Sequence, residues 1–410
     1  MSAATHNVIV VGGGPAGMMC GLLLARAGVT VTVLEKHRDF LRDFRGDTVH
    51  PSTLDLFDQL GLLDELLAIP HSRIDEVSAR IAGRQCRIAS FRGLPVAAPY
   101  IAMMPQWDLL DFIAARARRY PCFTLRMASE AVGVLHDEAG RVAGVSLASG
   151  EELAATLVIA ADGRRSILRD QARLPLQRIG APMDVFWFRL PKPQGVAVED
   201  TFGVVEAGRF LVLIDRRDYF QCASLLPKGG ADAVRARGLE RFRAGLRAMV
   251  PDLAGSIDTI TDWGQVKLLD VAMDRLTCWH RPGLLAIGDA AHAMSPVGGV
   301  GINVAVQDAV AAANILAIPL ARGDDPDPLL PLVRKRRWRA VTWMQAAQKM
   351  AQDRMIAPTL SRQEAIERPF WPMRLLDAVP LLRRIPGRVV GLGFDRERIE
   401  SPDAWDSAQR

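Results

Sequence analysis

The first 35 residues contain the feature that most constrains the fold, a glycine-rich turn between apolar segments. Residues 8–11 are apolar, and residues 12–17 read GGGPAG. An Ala/Leu-rich segment then runs to Arg26, and a β-branched segment, residues 29–34, ends at Glu35. This order of strand, tight turn, helix, strand and acid is typical of a dinucleotide-binding βαβ unit. The pattern therefore predicts an α/β fold built on a parallel sheet.

Each position in this unit has a distinct expected role. Gly12 permits the sharp turn out of the strand, and Gly14 lets backbone N–H groups approach a pyrophosphate. Gly17 allows the helix to pack closely on the sheet, and Glu35 offers a carboxylate to ribose hydroxyls. The predicted cofactor-binding residues of the unit are Gly12, Gly14, Pro15, Ala16, Gly17, Glu35 and Lys36.

Composition argues against several other classes of protein. The five cysteines are scattered and form no CxxC pair, so no disulfide framework, zinc ribbon or dithiol centre is predicted, and a reducing cytoplasmic location is expected. Glycines and Arg26 interrupt the first apolar stretch, which argues against a signal peptide and against a membrane span there. The net charge of +5 is modest, so no nucleic-acid partner is predicted. Nor does any His or carboxylate spacing predict a metal site.

Two stretches differ from the βαβ pattern. Residues 74–97 contain short alternating segments, and residues 184–226 read as strand after strand. Both predict an inserted sheet. The predicted division is a Rossmann-like cofactor domain of residues 1–73, 98–180 and 270–335, a mostly antiparallel substrate domain of residues 74–97 and 181–269, and a helical C-terminal region of residues 336–410.

Two further segments each follow an apolar strand. Residues 162–169 come after the strand 157–160, and Gly288-Asp289 comes at the end of the strand 284–287. Ligands in open parallel sheets lie beyond the carboxyl ends of the strands, so these segments and the glycine turn are expected to meet around one ligand. Glycines in residues 296–303 expose N–H groups where a long helix begins, and its positive end suits the anionic ring of a reduced flavin.

The three segments together resemble the FAD-dependent aromatic hydroxylases, the single-component flavoprotein monooxygenases typified by p-hydroxybenzoate hydroxylase. The resemblance covers nearly the whole chain and rests on GGGPAG with Glu35, ADGRRSILR at residues 161–169 and GDAAHAMSPVGGVGIN at residues 288–303. It implies a Rossmann-like FAD-binding domain, an inserted antiparallel sheet domain for the substrate and a helical C-terminal part.

The resemblance also assigns further cofactor contacts. Arg45 and Gln106 match positions near the pyrophosphate and ribityl chain, and Asp289 matches the ribityl ligand. Asp162 and Arg169 belong to the motif linked to FAD and the nicotinamide donor. The further cofactor-binding residues implied are Arg45, Gln106, Asp162, Arg169, Gly288, Asp289, Gly298, Gly299, Gly301, Ile302 and Asn303.

The implied function is hydroxylation of an aromatic or heteroaromatic small molecule through a flavin hydroperoxide, with NADH or NADPH as electron donor and molecular oxygen as co-substrate. No second GxGxxG follows residue 150, so the nicotinamide donor has no Rossmann domain of its own. A monomer or homodimer is expected, without stable membrane insertion. Two alternatives remain: a flavin reductase or dehydrogenase that inserts no oxygen, and a non-enzymatic flavin-binding regulator.

Three residues are candidates for a catalytic role. His50 either acts as an acid or base beside the flavin or caps the following helix. Arg189 either holds a substrate carboxylate or lies on a solvated face. Pro296, at the start of the glycine-rich run, is the third candidate.

Other side chains have two possible roles each. Four phenylalanines are candidate apolar walls that exclude water from the reaction, or else core residues: Phe186, Phe188, Phe202 and Phe210. His292 is expected to hold its loop by hydrogen bonding. The basic run Arg334–Arg337 is predicted to form a solvated helix face.

Overall fold

Two β-sheets organise the chain, one mainly parallel and one mainly antiparallel. The computed structural model describes residues 7–41, 48–193, 201–216 and 218–405. Within these ranges the first sheet carries the glycine turn, and the second sheet combines the two stretches that the sequence assigns to an insert. The predicted fold class is confirmed.

The first sheet has six strands, in the order β20 (His280–Arg281), β21 (Leu284–Ala286), β12 (Leu157–Ala160), β1 (Asn7–Val11), β2 (Thr30–Leu34) and β8 (Phe123–Arg126). Neighbouring strands from β21 to β8 are parallel. Their apolar residues are buried on both faces, as parallel strands require. The carboxyl ends of β21, β12 and β1 therefore lie side by side, and each is followed by one of the three motif segments.

The helices of the described residues are α1 (Pro15–Arg26), α2 (Pro51–Gln59), α3 (Leu63–Leu67), α4 (Gln106–Ala117), α5 (Ile167–Gln171), α6 (Ala231–Ala236), α7 (Leu239–Met249), α8 (Ala254–Ile257), α9 (Gly301–Arg322), α10 (Leu330–Ala351), α11 (Ala357–Ser361), α12 (Trp371–Ala378) and α13 (Arg384–Leu392). In addition, residues Gln352–Ile356 form a π-helical segment between α10 and α11.

Helix α9 is the core helix of the Rossmann-like domain. Within the described ranges, Val297–Arg322 is the one helical stretch long and apolar enough to cross a membrane, but 72% of its apolar window is buried inside the protein. Helices α1 and α10 pack against it. The helix accommodates Pro319 and runs to Arg322, where the left-handed Gly323 (φ 85°) provides the C-terminal cap.

The second sheet has seven strands, in the order β18 (Lys267–Leu269), β14 (Met183–Pro191), β17 (Tyr219–Pro227), β16 (Arg209–Asp215), β15 (Thr201–Glu206), β5 (Glu76–Ile81) and β6 (Arg84–Ser90). Its pairings are antiparallel except for β15 with β5. The hairpin of the earlier stretch thus joins the strands of the later one in a single sheet.

Three small sheets connect these parts, with the strand orders β3 (Thr48–Val49), β7 (Ile101–Met103), β4 (Ser72–Ile74); β11 (Glu152–Ala154), β10 (Val142–Leu147), β9 (Ala131–His136); and β13 (Leu176–Arg178), β19 (Asp274–Leu276), β22 (His292–Ala293). Helix α10 begins at Leu330 and so crosses the predicted boundary at residues 335 and 336. The domain limits drawn from the sequence stay predictions.

Candidate functional site

Three motif segments meet at the carboxyl edge of the first sheet: the first is residues 12–17, the second is residues 162–169 and the third is residues 288–303. Gly12 has a positive φ of 108°, and a Cβ there would lie 2.3 Å from the carbonyl oxygen of Ala161. A Cβ at Gly288 would lie 2.9 Å from Cβ of Ala16. Each contact needs glycine, because any larger residue would force the two segments apart. The first segment therefore touches both of the others through glycine.

The second and third segments are joined by charge. The guanidinium Nε of Arg164 lies 3.9 Å from Oδ2 of Asp289, and both side chains are about one-third exposed. Asp289 belongs to a short 3-10 turn, Gly288–Ala290, directly after β21. All three pairs of segments are thus in contact, which places the residues predicted to bind a dinucleotide around one region.

The glycine turn combines one tight position with one open position. A Cβ at Gly17 would lie 1.9 Å from the carbonyl oxygen of Gly12, so this glycine allows α1 to sit closely on the strand end. Gly14, the N-cap residue of α1, has an ordinary φ of −76°, and a Cβ added to it would have nothing within 4 Å. That open space lies where the positive end of α1 attracts an anion.

Glu35 lies directly beside this turn. Its carboxylate accepts hydrogen bonds from the backbone N–H of Gly13 at 2.9 Å and of His37 at 3.1 Å. Lys36, the next residue, is exposed. The geometry suits the predicted ribose contact of Glu35.

The N-terminus of α9 presents a second open position. Gly298 and Gly299 have positive φ values of 79° and 63°, and Thr48 Oγ1 donates to the carbonyl of Gly299 at 2.8 Å. A Cβ added at Gly301 would have nothing within 4 Å. The first N–H groups of the helix, at Gly301 and Ile302, have no acceptor within the helix. They and the dipole of this 22-residue helix favour negative charge here.

Asn303 uses its side chain within the protein. Its Oδ1 accepts from the backbone N–H of His50 at 2.8 Å and from Oγ1 of Thr53 at 2.7 Å, and its Nδ2 donates to the carbonyl of Thr48 at 3.3 Å. The carboxamide therefore ties residues 48–53 to the start of α9. The backbone N–H of Asn303 is the group left for the predicted flavin contact.

His50 is fully buried. It occupies the N-cap position of α2, as one of the two alternatives predicts, and it caps the helix through its backbone carbonyl because its side chain makes no capping bond. Nδ1 instead donates to the carbonyl of Val390 at 2.7 Å, and in the described part of the chain the buried Nε2 has no partner. Burial lowers the pKa of His50 to about 4, although the bond to Val390 partly offsets this. A role as acid or base stays a prediction, with the neutral imidazole as the resting form.

The side chains of the second segment make hydrogen bonds within the segment itself. Asp162 Oδ2 accepts from the N–H of Ile167 at 3.0 Å, while its buried Oδ1 has no partner among the described residues. Burial raises the pKa of Asp162. Arg169, 5% exposed, donates to the carbonyl of Arg164 at 3.2 Å and to Asp170 at 3.1 Å. These bonds hold the loop of residues 162–169 in place and leave Oδ1 of Asp162 as an acceptor without a partner among the described residues.

A buried carboxylate that sequence reasoning missed supports the third segment. Asp308, on α9, has no exposed surface and accepts from the N–H of Gly288 at 3.1 Å, from His292 Nε2 at 2.6 Å and from Arg337 Nε at 2.9 Å. Burial opposes its ionisation, but His292 and Arg337 outweigh this and hold the pKa of Asp308 below its usual range. The network fixes the turn that carries Asp289.

This network decides two of the expectations from the sequence. His292 holds its loop by hydrogen bonding, as expected. Arg337, however, is 1% exposed, so the solvated face predicted for the basic run is wrong at this residue. The missed signal is the spacing of Asp308 seven residues after Gly301, which places both on one face of the same helix, two turns apart.

The aromatic residues of the second sheet lie on two different faces. Phe186, Phe188 and Phe202 belong to the cluster covered by α7 and α8, so their assignment as cavity walls is wrong and they pack a core. Phe210 is on the other face and contacts the cluster that includes Val297. Side chains of a strand alternate between faces, and only the covering helices tell which face is the core.

The other predicted residues have simple positions. Gln106 is the first residue of α4 and Pro296 is a half-buried residue just before the glycine turn. Arg189 is exposed, with its guanidinium 4.9 Å from the ring centre of Tyr219. Arg45 lies outside the described residues. The catalytic roles of Pro296 and Arg189 stay predictions.

These features fit an FAD cofactor. Two helix N-termini with open glycine positions, Gly14 and Gly301, lie in segments that are in contact, and FAD has two anionic parts, the pyrophosphate and the reduced ring. The buried Oδ1 of Asp162 supplies an unpaired acceptor beside them, and Asp289 supplies a partly exposed carboxylate for hydroxyl groups. A nicotinamide dinucleotide alone would leave the N-terminus of α9 without a ligand.

Comparison with known proteins agrees. Residues 5–347 match the family model described as FAD binding domain. The chain belongs to this FAD-binding family. It is 35% identical over 393 residues to 6-methylpretetramide 4-monooxygenase of Streptomyces rimosus, covering 94% of this chain and 92% of that enzyme. The flavoprotein is also 26% identical to dialkyldecalin synthase of Streptomyces rugosporus over 75% of this chain and 64% of the relative.

The fold also matches solved structures. PqsL of Pseudomonas aeruginosa superposes with a TM-score of 0.72 at 23% identity, covering 86% of this flavoprotein and 98% of PqsL. The family, FAD as cofactor and the assignment as a monooxygenase of the aromatic hydroxylase type are therefore confirmed. A small-molecule substrate and molecular oxygen are its reaction partners, and NAD(P)H is the electron donor typical of the family.

Gly14→Val is expected to abolish FAD binding without unfolding the protein. The added side chain would enter the open space at the start of α1, and the backbone there is already in a conformation that valine accepts. The purified variant should lack flavin absorbance while keeping its unfolding temperature without cofactor. Gly255→Val, at another open glycine remote from the site, is the control. A variant that purifies with full flavin would contradict the placement.

The stability of the wild type is expected to fall as pH drops from about 6.5 to about 4. The pKa of His50 is lowered from 6.5 to about 4, so the unfolded chain binds this proton more tightly and the stabilisation is lost in that window. Its full size is about 3 kcal/mol. Urea unfolding of His50→Asn, which keeps a donor for Val390, should lack this contribution. His136→Asn, at an exposed position, should keep it.

Asp308→Asn is expected to destabilise the protein by about 2–3 kcal/mol, because it removes the carboxylate charge 2.9 Å from the buried Arg337 guanidinium and leaves only the more distant carboxylate of Glu397, at 3.6 Å. Chemical denaturation measures this loss. Asp353→Asn, which breaks an exposed pair with Lys349, is the control and should cost about 0.5 kcal/mol or less. Equal losses in the two variants would mean that the buried network does not stabilise the fold.

Proposed function

We propose that this flavoprotein hydroxylates a ring carbon of an aromatic or heteroaromatic small molecule, with NADH or NADPH as electron donor. The observation that carries the proposal is the open N-terminus of α9 at Gly301, in contact with the segments that fit the rest of FAD. The relative at 35% identity, named a 6-methylpretetramide 4-monooxygenase, supports an aromatic substrate. A monomer or homodimer located in the cytoplasm is part of the same proposal.

Bound FAD supplies the redox chemistry and the activation of oxygen. The chain supplies position and charge. Glu35 and the N-terminus of α1 would hold the adenosine and pyrophosphate end, and Asp289 would bind hydroxyl groups of the ribityl chain. The N–H groups at Gly301 and Ile302 would favour negative charge on a ring bound at the start of α9.

The second sheet supplies an apolar wall next to the turn that precedes α9. Val297, immediately before the glycine turn, contacts a cluster of Met183, Ile356 and Leu360, against which Phe210 and Leu225 also pack. These side chains come from β14, β16, β17 and the C-terminal helices, so the wall forms only when all of them are folded together. Such a wall would exclude water from a substrate bound beside the turn.

The proposal is tested by oxygen-18 labelling. The wild type loaded with FAD is supplied with NADH or NADPH, oxygen-18 gas and 6-methylpretetramide, followed by a panel of phenols and heteroaromatics. We expect one substrate to accelerate nicotinamide oxidation and to gain one labelled oxygen atom. Gly14→Val, without FAD, is the matched control and should form no product.

Other outcomes favour the alternatives. A reduced product without label would indicate a reductase or dehydrogenase. Since one relative is named a synthase rather than a monooxygenase, a rearranged, unlabelled product is a further outcome that would overturn oxygen insertion. FAD binding without substrate-stimulated nicotinamide oxidation across the panel would favour a flavin-binding regulator.

A further inference from the structure

Three buried glutamines form a row along α10 and the π-helical segment after it. Gln345, Gln348 and Gln352 are 1%, 4% and 0% exposed. Their spacing of three and four residues puts them on one face of a helix. A buried carboxamide is costly unless it is hydrogen-bonded, so a row of three needs a polar partner along its whole length.

That partner is the segment Ala293–Val297. Gln345 Nε2 donates to the carbonyl of Ala293 at 3.2 Å and to that of Asp274 at 2.8 Å. Gln348 Nε2 donates to the carbonyls of Ser295 at 2.9 Å and Val297 at 2.8 Å, and its Oε1 accepts from the N–H of Ser295 at 3.1 Å.

Gln352 completes the row. Its Nε2 donates to the hydroxyl of Ser295, which also accepts from the N–H of Val297 at 3.2 Å. The three side chains therefore supply the bonds that a neighbouring β-strand would otherwise make. Strand β22 ends at Ala293, and its pairing with β19 stops there, so the row takes over where the sheet ends.

The segment held in this way leads directly to the proposed flavin-ring site. It contains Pro296 and runs into the turn at Gly298 and Gly299, from which α9 begins. We propose that Gln345, Gln348 and Gln352 are positioning residues, which set the place of this segment and so of the flavin ring against the second sheet. The inference rests on the proposed function, since it concerns the same site.

Two further observations distinguish this role from filling a core. The buried Oε1 of Gln352 has no partner in the described part of the chain, so an amide is kept there at a cost in stability. The backbone at this point is π-helical over Gln352–Ile356, a feature that is frequent at functional sites. Ile356, at the end of the same segment, belongs to the apolar cluster that Val297 contacts.

The test is Gln348→Leu, which fills similar volume but removes both donated bonds and the accepted one. FAD dissociation constants are measured by quenching of flavin fluorescence, and the environment of the bound ring by visible circular dichroism. We expect the dissociation constant to rise about tenfold and the dichroism of the bound flavin to change, because the loss of three hydrogen bonds frees the segment.

Gln307→Leu is the matched control. Gln307 is also buried, and its Oε1 accepts from the N–H of Glu397 at 3.2 Å, away from the segment. It should lower the unfolding temperature while leaving FAD affinity and dichroism unchanged. The same loss of affinity in both variants would overturn the proposal, because it would mean a general loss of stability.

Gln352→Met provides a second variant if Gln348→Leu does not fold. It removes an unpaired buried oxygen, so the protein should be at least as stable as the wild type, yet the tie to Ser295 is lost. A changed flavin dichroism in this stable variant supports the proposal, and wild-type dichroism and affinity overturn it. Failure of the wild type itself to bind FAD would instead contradict the proposed function.

Discussion

The parallel pairing of β21, β12 and β1 is the constraint on which the rest of the structure depends. Because these neighbouring strands run in one direction, their carboxyl ends open at one edge of the sheet, and three segments that are more than a hundred residues apart come together there. Glycines at Gly12, Gly17 and Gly288 then let backbone and small side chains approach to distances that no Cβ would permit. A cofactor site of this kind is therefore first a matter of strand order and close packing, and only afterwards of polar contacts.

Ion pairs and hydrogen bonds from buried side chains hold the segments at this edge of the sheet in position. Asp308 binds the N–H of Gly288 while it pairs with His292 and Arg337, all in surroundings shielded from solvent. The row of glutamines does the same for the segment that follows. In both cases side chains from a long helix make hydrogen bonds to the backbone N–H and C=O groups of irregular segments, whose backbone does not form a continuous strand or helix. The irregular segments are thereby rigid enough to present N–H groups to a ligand, because the supporting side chains do not occupy those N–H groups.

Two faces of the second sheet serve different purposes. Phe186 and Phe188 lie under α7 and stabilise the sheet as a separate core, whereas Phe210 and Leu225 face the first domain and the C-terminal helices. The alternation along β14 is plain in the sequence, but the choice of face is not, since both faces are apolar. The helices that cover one face are separated from β14 in sequence by the other strands of the sheet. For the same reason, the local sequence around Arg337, a run of four basic residues, predicts an exposed side chain. In the folded protein Arg337 pairs with Asp308 and is one of the most deeply buried side chains.

The amino-acid sequence by itself determined the βαβ unit, the insert of antiparallel strands, the start of the long helix α9, and the family with its FAD cofactor. These depend on local periodicity, on glycine spacing and on short motifs whose chemistry is carried within a few residues. The tertiary structure alone decided the buried bond of His50 to Val390, the network around Asp308, the glutamine row and the face of the sheet that meets the flavin turn. Each of these joins groups far apart in the chain, and their energies depend on burial, which a side chain acquires only once the elements have packed.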